Sequence, residues 1–262
     1  MRGNRIIALS AIVTLAVGAL CADAAPLSVV RERGVFGVCA HPDALPYSSQ
    51  ERALPGFQIE IAEAIAKQLG VRLRLEWIVF TRHARRVDCD ATIGAIVRSD
   101  KDAAAARRGP LLTKPYISSG YVLVVPTASP AVVNLDDVKG GKIGVEHSSW
   151  PHYLLDTRKV PVASYGSAVE VLDAVAKGDV VAGLVSDAYA GWYLKQHPGA
   201  AKISDTYVAE RDFRWNVAVA LRNADAPLVQ AVNQALDALI ADRTIPDIFN
   251  RYGITYRAPL PE

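Results

Sequence analysis

Cysteine is scarce in this 262-residue chain: the three present, with a single methionine, are too few for a disulfide-dense scaffold. No Cys/His cluster has the spacing of a metal site, so a structural zinc protein is excluded. Charge of one sign is lacking too, because 29 basic and 27 acidic side chains leave a net +2. A broad nucleic-acid-binding surface is therefore disfavoured. The chain has no Gly-x-Ser-x-Gly elbow, no His-Glu-x-x-His helix and no Walker loop, so nucleophilic, zinc and nucleotide mechanisms have no local signature. What is abundant is apolar surface. With 51% hydrophobic and 21% charged residues, the chain can bury a sizeable core, as one large domain or two lobes.

The N-terminus carries Arg2 and Arg5, an apolar run from Ile6 to Leu20, and the small-residue triplet Ala22-Asp23-Ala24. That order is the pattern of a cleavable secretory signal peptide, assigned to residues 1–24. The run is shorter than the roughly twenty residues that span a bilayer. A lipoprotein reading at Cys21 is discounted because bulky Leu20 precedes it. The mature chain, without a later membrane-length apolar run, is expected to reside in the periplasm, where Cys39 and Cys89 could oxidise.

The rest of the chain alternates strand and helix patterns. Val35–Ala40 is β-rich and ends at His41-Pro42-Asp43, followed by a Ser-rich loop. Phe57, Ile59, Ile61, Ala62, Ile65, Ala66 and Leu69 recur with helical spacing, and Gly70 stops the helix. Val71 to Val79 alternates with the period of a half-buried strand. Strand patterns at Asp90–Val97 and Tyr121–Val125 precede a connection over 127–139. The alternation then restarts with a strand at Lys142–Val145, helices at 150–155 and 169–176, a strand at 180–185, a helix at 188–196, a strand at Asn216–Leu221 and closing helices over 227–252. This order predicts α/β units with largely parallel sheets.

Several short motifs, taken together, carry a resemblance. They are Pro46-Tyr47, Gly56-Phe57 opening a helix that ends Leu69-Gly70, Cys89-Asp90 entering a strand, Pro115-Tyr116, the stretch Leu135 to Val145, and Gly178-Asp179. In order and spacing they resemble the type II extracytoplasmic solute-binding proteins of family 3, which serve amino-acid ABC transporters. The resemblance implies an α/β type II periplasmic-binding-protein fold, with two lobes joined by a two-strand hinge that closes on a small ligand. Lobe 1 would use residues 26–120 and 220–262, lobe 2 residues 126–215, and the hinge about 121–125 and 216–221. The stretch Cys39 to Ser48, Trp77, Cys89-Asp90, Asp187 to Tyr193 and Arg251 to Ile254 also look like the methanol-oxidation J-type proteins associated with quinoprotein dehydrogenases. The implied partner is then an ABC permease or, alternatively, a PQQ-dependent dehydrogenase with its cytochrome. No cofactor of its own is implied.

The resemblance also implies ligand contacts. Tyr47 falls where these receptors stack an aromatic ring on the ligand, and packing on its own loop is the alternative. His41 either faces the cleft or caps the following turn. The family's carboxylate-gripping arginine has no plain counterpart, since two alignments place Asp102 or Ala106 there. Arg98, Arg107 or Arg108 could supply the charge from a shifted register, with Arg98 the candidate carried forward. Ser148 and Ser149 either present hydroxyls and amides to an anionic group or cap the helix from Trp150. Asp187 matches the acid that accepts a ligand ammonium. No catalytic residue is assigned, although His41, Glu146 and Asp187 are acid–base groups that a dehydratase-like descendant of this fold could use. For Cys39 and Cys89, compartment favours a bond. If their strands are parallel neighbours, about five residues of offset at roughly 3.3 Å each exceed the ~7 Å limit between bridged α-carbons.

Overall fold

The computed structural model describes residues 26–80, 83, 86–97, 109–130, 132, 134–135, 138 and 140–261. The signal-peptide assignment and Arg98 lie outside the described residues. The first unit opens with α1 (Leu27–Arg33) and β1 (Val35–Ala40), then the short hairpin β2 (Asp43–Ala44) and β3 (Ser48–Ser49). Helix α2 (Phe57–Leu69) and strand β4 (Arg72–Trp77) follow, and then β5 (Ala91–Val97), β6 (Leu111–Leu112) and β7 (Ile117–Val125). The second unit holds β8 (Ile143–Glu146), α3 (Trp150–Thr157), β9 (Val162–Tyr165), α4 (Ala168–Lys177), β10 (Ala182–Ser186), α5 (Asp187–Gln196) and β11 (Lys202–Ile203). Strand β12 (Arg214–Leu221) returns to the first unit, which α6 (Ala226–Ala241) and α7 (Thr244–Arg251) complete.

The strands join in the order β4-β1-β5-β12-β7-β10-β8-β9, with β6 beside β12 and β11 beside β7. Neighbours β4/β1, β1/β5, β10/β8 and β8/β9 are parallel, whereas β12 and β7 run antiparallel to their neighbours. Both lobes hang on β7. Its Ile117–Gly120 half pairs with Arg214–Val217 of β12, and from Tyr121 it pairs with Gly183–Ser186 of β10. At the changeover a Cβ on Gly120 would lie 2.7 Å from the Phe213 carbonyl oxygen, so the two crossing strands approach more closely than a side chain allows.

Each half has its own core. Phe36, Val38, Ile61, Ile65, Val219, Leu236 and Phe249 belong to the first, under α2, α6 and α7. In the second half the sheet is covered on both faces. Val124 and Val185 point to the α4 and α5 side, whereas Leu123, Val125 and Leu184 point to the α3 side, as strand alternation requires. Helix α5 contributes to two cores: Ala188 and Trp192 pack on the first lobe, and Ala190 and Tyr193 on the second. Gly191 makes this contact close, because a Cβ there would stand 2.3 Å from the Gly253 carbonyl oxygen. A helix wedged between two cores at the crossover is a mechanical link between lobes.

Cys39 and Cys89 are disulfide-bonded, with α-carbons 5.5 Å apart. Register shortens the expected offset, and the rest of the objection fails because Cys89 lies before its strand. The β1/β5 ladder pairs Val38 with Ala91, so Cys39 lies one residue beyond that pair and Cys89 two before it. Cys89 also precedes the strand and is free of its geometry. The Asp90 amide donates to the Gly37 carbonyl, and the Asp90 carboxylate accepts from the Gly37 amide, which brings the segment across β1.

Candidate functional site

In an open parallel sheet the carboxyl ends of the strands leave a crevice that helices do not cover. Here those ends present His41 after β1, Glu146 at the end of β8, and Ser186 and Asp187 at the junction of β10 with α5. Tyr47 reaches the same place from the β2–β3 hairpin. Its backbone is tied to α2: the carbonyls of Pro46 and Tyr47 accept from the Phe57 and Gln58 amides. Its ring stands 5.0 Å from Phe57 and 5.4 Å from Tyr189. Its hydroxyl lies 3.2 Å from Ser186 Oγ, a hydrogen bond from one lobe to the other. Burial pushes the Tyr47 phenol well above its ordinary pKa, so it stays protonated.

Asp187 is buried. Ser119 donates to its Oδ1 at 2.7 Å, Arg257 pairs with its Oδ2 at 2.9 Å, and the amides of Gly120 and Ala188 also donate to the carboxylate. Burial pushes this carboxyl up, and the four donors act in the opposite sense. A carboxylate offers about four lone-pair sites, so Asp187 is satisfied within the chain. Arg257 arrives on the C-terminal tail, which is fastened to the hinge strands. The Ser118 amide donates to the Arg257 carbonyl, and the Asn216 side chain makes both a donor and an acceptor bond to the backbone of Leu260.

The other predicted residues that are described, His41, Ser148 and Ser149, make local bonds. His41 accepts the Asp43 amide on Nδ1 and so caps its turn. Ser149 caps α3 by accepting the His152 amide at 3.3 Å. Ser148, with φ of 59°, turns its amide onto His152 Nδ1. Trp150 donates to the Asp212 carbonyl and stacks on Tyr153. The structure thus brings Tyr47 and Asp187 to the two sides of Ser186, and leaves Ser148 and Ser149 at the start of α3 with local partners. Sequence reasoning missed Ser119, Ser186, Tyr189 and Arg257. Ser186 was legible as the small polar residue ending a strand before a helix, and it does cap α5. Nothing local marks Arg257, which reaches a residue 70 positions away.

Among the described residues no three His, Cys, Asp or Glu side chains gather as a metal site. A separate groove of about 530 Å³ lies between β6 and α6, lined in part by Leu112, Val229 and Gln230. The Lys114–Asp237 pair, 3.2 Å apart, stands on its wall, and none of the predicted site residues among those described lines it.

The comparison with known families matches residues 36–255 to the bacterial extracellular solute-binding proteins, family 3. The chain belongs to that family. Among curated family-like relatives, the L-cystine-binding protein TcyJ of Escherichia coli K12 is 27% identical over 245 residues, 88% of this chain and 87% of that protein. Two solved structures show the same solute-binding fold. The L-cystine solute receptor of Neisseria gonorrhoeae, in its unliganded open conformation, has a TM-score of 0.72 at 18% identity, over 88% of this chain and 99% of its own. The ancestral cationic amino acid solute-binding protein AncCDT-1 has a TM-score of 0.72 at 19% identity, over 87% and 99%. Among the described residues of this family 3 protein, no helix is long and apolar enough to cross a membrane.

Proposed function

We propose that this protein is exported to the periplasm by residues 1–24, captures a small polar solute between its lobes, and delivers it to an ABC importer. The observation that carries the reading is the Tyr47–Ser186 hydrogen bond, which joins side chains from both lobes at the carboxyl ends of the strands. A solute that engages both sides binds the closed form preferentially, and that differential affinity is what shifts a hinge equilibrium. The lobes would be 26–120 with 220–262, and 126–215, and the change of partners along β7 at Gly120–Tyr121 supports a hinge there. Family membership and the curated relatives support the transport role.

A second reading, an accessory protein of a PQQ-dependent dehydrogenase, is favoured by one observation: Asp187 spends its lone pairs on Ser119, Arg257 and two amides rather than leaving them for a ligand. A dehydratase-like activity has less support, because none of His41, Glu146 and Asp187 is hydrogen-bonded to another. The substitution Tyr47→Ala tests the first reading. Removing a ring from the binding face should weaken solute affinity by roughly 10- to 100-fold in calorimetric titration, the equivalent of about 1.5–3 kcal/mol of lost aromatic contact. Unchanged affinity would place the bound solute elsewhere and contradict the cleft.

A further inference from the structure

Two carboxylates stand at the ends of neighbouring strands in the second lobe, and the chain treats them differently. Asp187, at the end of β10, has its guanidinium partner and three further donors. Glu146, at the end of β8, has none: among the described residues no side chain makes a hydrogen bond or an ion pair to its carboxylate. It is half-buried, and burial alone pushes its carboxyl up. A half-buried carboxylate without a partner costs stability, and fold stability gives no reason to keep it there.

Its surroundings fit a cation. In the parallel β8/β10 ladder Gly144 stands opposite Gly183, which sets Glu146 level with Val185, just before Ser186 and the start of α5. On that helix the Tyr189 phenol feels the charge of Glu146, and the Tyr189 ring meets the Tyr47 ring edge to face at 5.4 Å. Tyr47 belongs to the first lobe and Glu146 with Tyr189 to the second. A carboxylate at a strand end with an aromatic pair at the start of the next helix is chemistry that holds ammonium, guanidinium and quaternary ammonium groups, by charge and by the negative faces of the rings. Asp187, the other carboxylate at these strand ends, has its lone pairs already used.

We infer that Glu146 and the Tyr47–Tyr189 ring pair form the subsite for the positive group of a small organic cation. The inference rests on the receptor reading above and narrows it to cationic solutes whose recognition does not use Asp187. On entry the solute's charge pairs with Glu146, and Tyr47 brings the first lobe onto it. Ligand charge and lobe closure are then coupled through one contact.

The test uses the mature protein, unfolded and refolded to remove any bound solute, with thermal shift and calorimetry. The probes are agmatine, putrescine and choline as cations, succinate and glutarate as dianions, and glycerol as a neutral polyol. At least one cation is expected to stabilise the wild type, and Glu146→Gln to lower its affinity tenfold or more. The ligand-free Glu146→Gln protein should melt no lower than the wild type, since the substitution removes only an unpaired charge. Glu146→Ala repeats the test with a side chain that cannot crowd the strand end. A cation that binds wild type and both variants equally would overturn the subsite. Stabilisation by a dianion or polyol, with no cation effect, would overturn the inference and leave the receptor reading standing. A lack of response to all of these probes would overturn the inference, and the receptor reading would then stand or fall on the amino acids and cystine of the wider panel.

Discussion

Reduction of the Cys39–Cys89 bond, or its removal by Cys39→Ala with Cys89→Ala, is expected to lower the melting temperature by roughly 8–16 °C. The bond closes a loop between residues 50 apart in sequence. Opening a loop of that length returns chain entropy worth about 4 kcal/mol to the unfolded state. The closed loop contains α2, β4 and the entry to β5, so the bond holds three neighbouring strands of the first lobe in one unit. Differential scanning calorimetry with and without reductant measures the effect directly. A drop below about 3 °C would mean that β1–β5 pairing and the Asp90 bonds to Gly37 and Arg33 already restrict the loop in the unfolded ensemble. Such a bond persists in an oxidising compartment, which is where the proposed export would place the protein.

The second large effect is expected at Asp187. In Asp187→Ala the Ser119 hydroxyl, the Arg257 guanidinium and the amides of Gly120 and Ala188 lose their shared acceptor at the crossover. Leaving such donors unsatisfied in a buried place costs about 3 kcal/mol in all, tempered because the Arg257 side chain is 46% exposed and regains water. The melting temperature should fall by roughly 6–12 °C. The carboxylate joins strand β7, helix α5 and the C-terminal tail, so the loss should be cooperative with removal of the tail contact. A double-mutant cycle of Asp187→Ala with Arg257→Ala is expected to give a coupling above about 0.5 kcal/mol. Additive effects would show that Arg257 is held by the Ser118 and Asn216 contacts alone. A merely small loss for Asp187→Ala would mean that the four donors find water when the carboxylate is gone.

Much of the architecture was legible because it is local. Gly70 and Gly178 end α2 and α4 with positive φ of 75° and 78°, and Ser149 and Ser186 cap α3 and α5. Apolar periodicity placed α2, α6 and the buried strands. The sequence did not show α1, which begins after Pro26 with no side-chain cap, or the half-buried β9, or the two-residue strands of the β2–β3 hairpin. The site was legible only in part, for a physical reason. Tyr47 and Asp187 sit at ends of elements and could be found by position. Their partners come from elsewhere: Ser119 lies 68 residues from Asp187, Ser186 lies 139 from Tyr47, and Arg257 reaches in from a tail whose path depends on the finished hinge. No periodicity encodes such contacts. The same long reach explains why the geometric objection to the disulfide failed, because it assumed that Cys89 already ran along a strand that begins at Ala91.

The central claim is that a small solute binds between the lobes, and one measurement tests it most directly. The refolded, ligand-free mature protein is melted against a panel of amino acids, cystine, polyamines, organic acids and small alcohols. The account predicts a selective response, with one chemical class raising the melting temperature by roughly 5–10 °C at a hundredfold excess over Kd, the equivalent of about 2.7 kcal/mol. A flat panel would contradict it, and a pull-down of a periplasmic PQQ-dependent dehydrogenase would then identify the cleft's owner as an accessory protein.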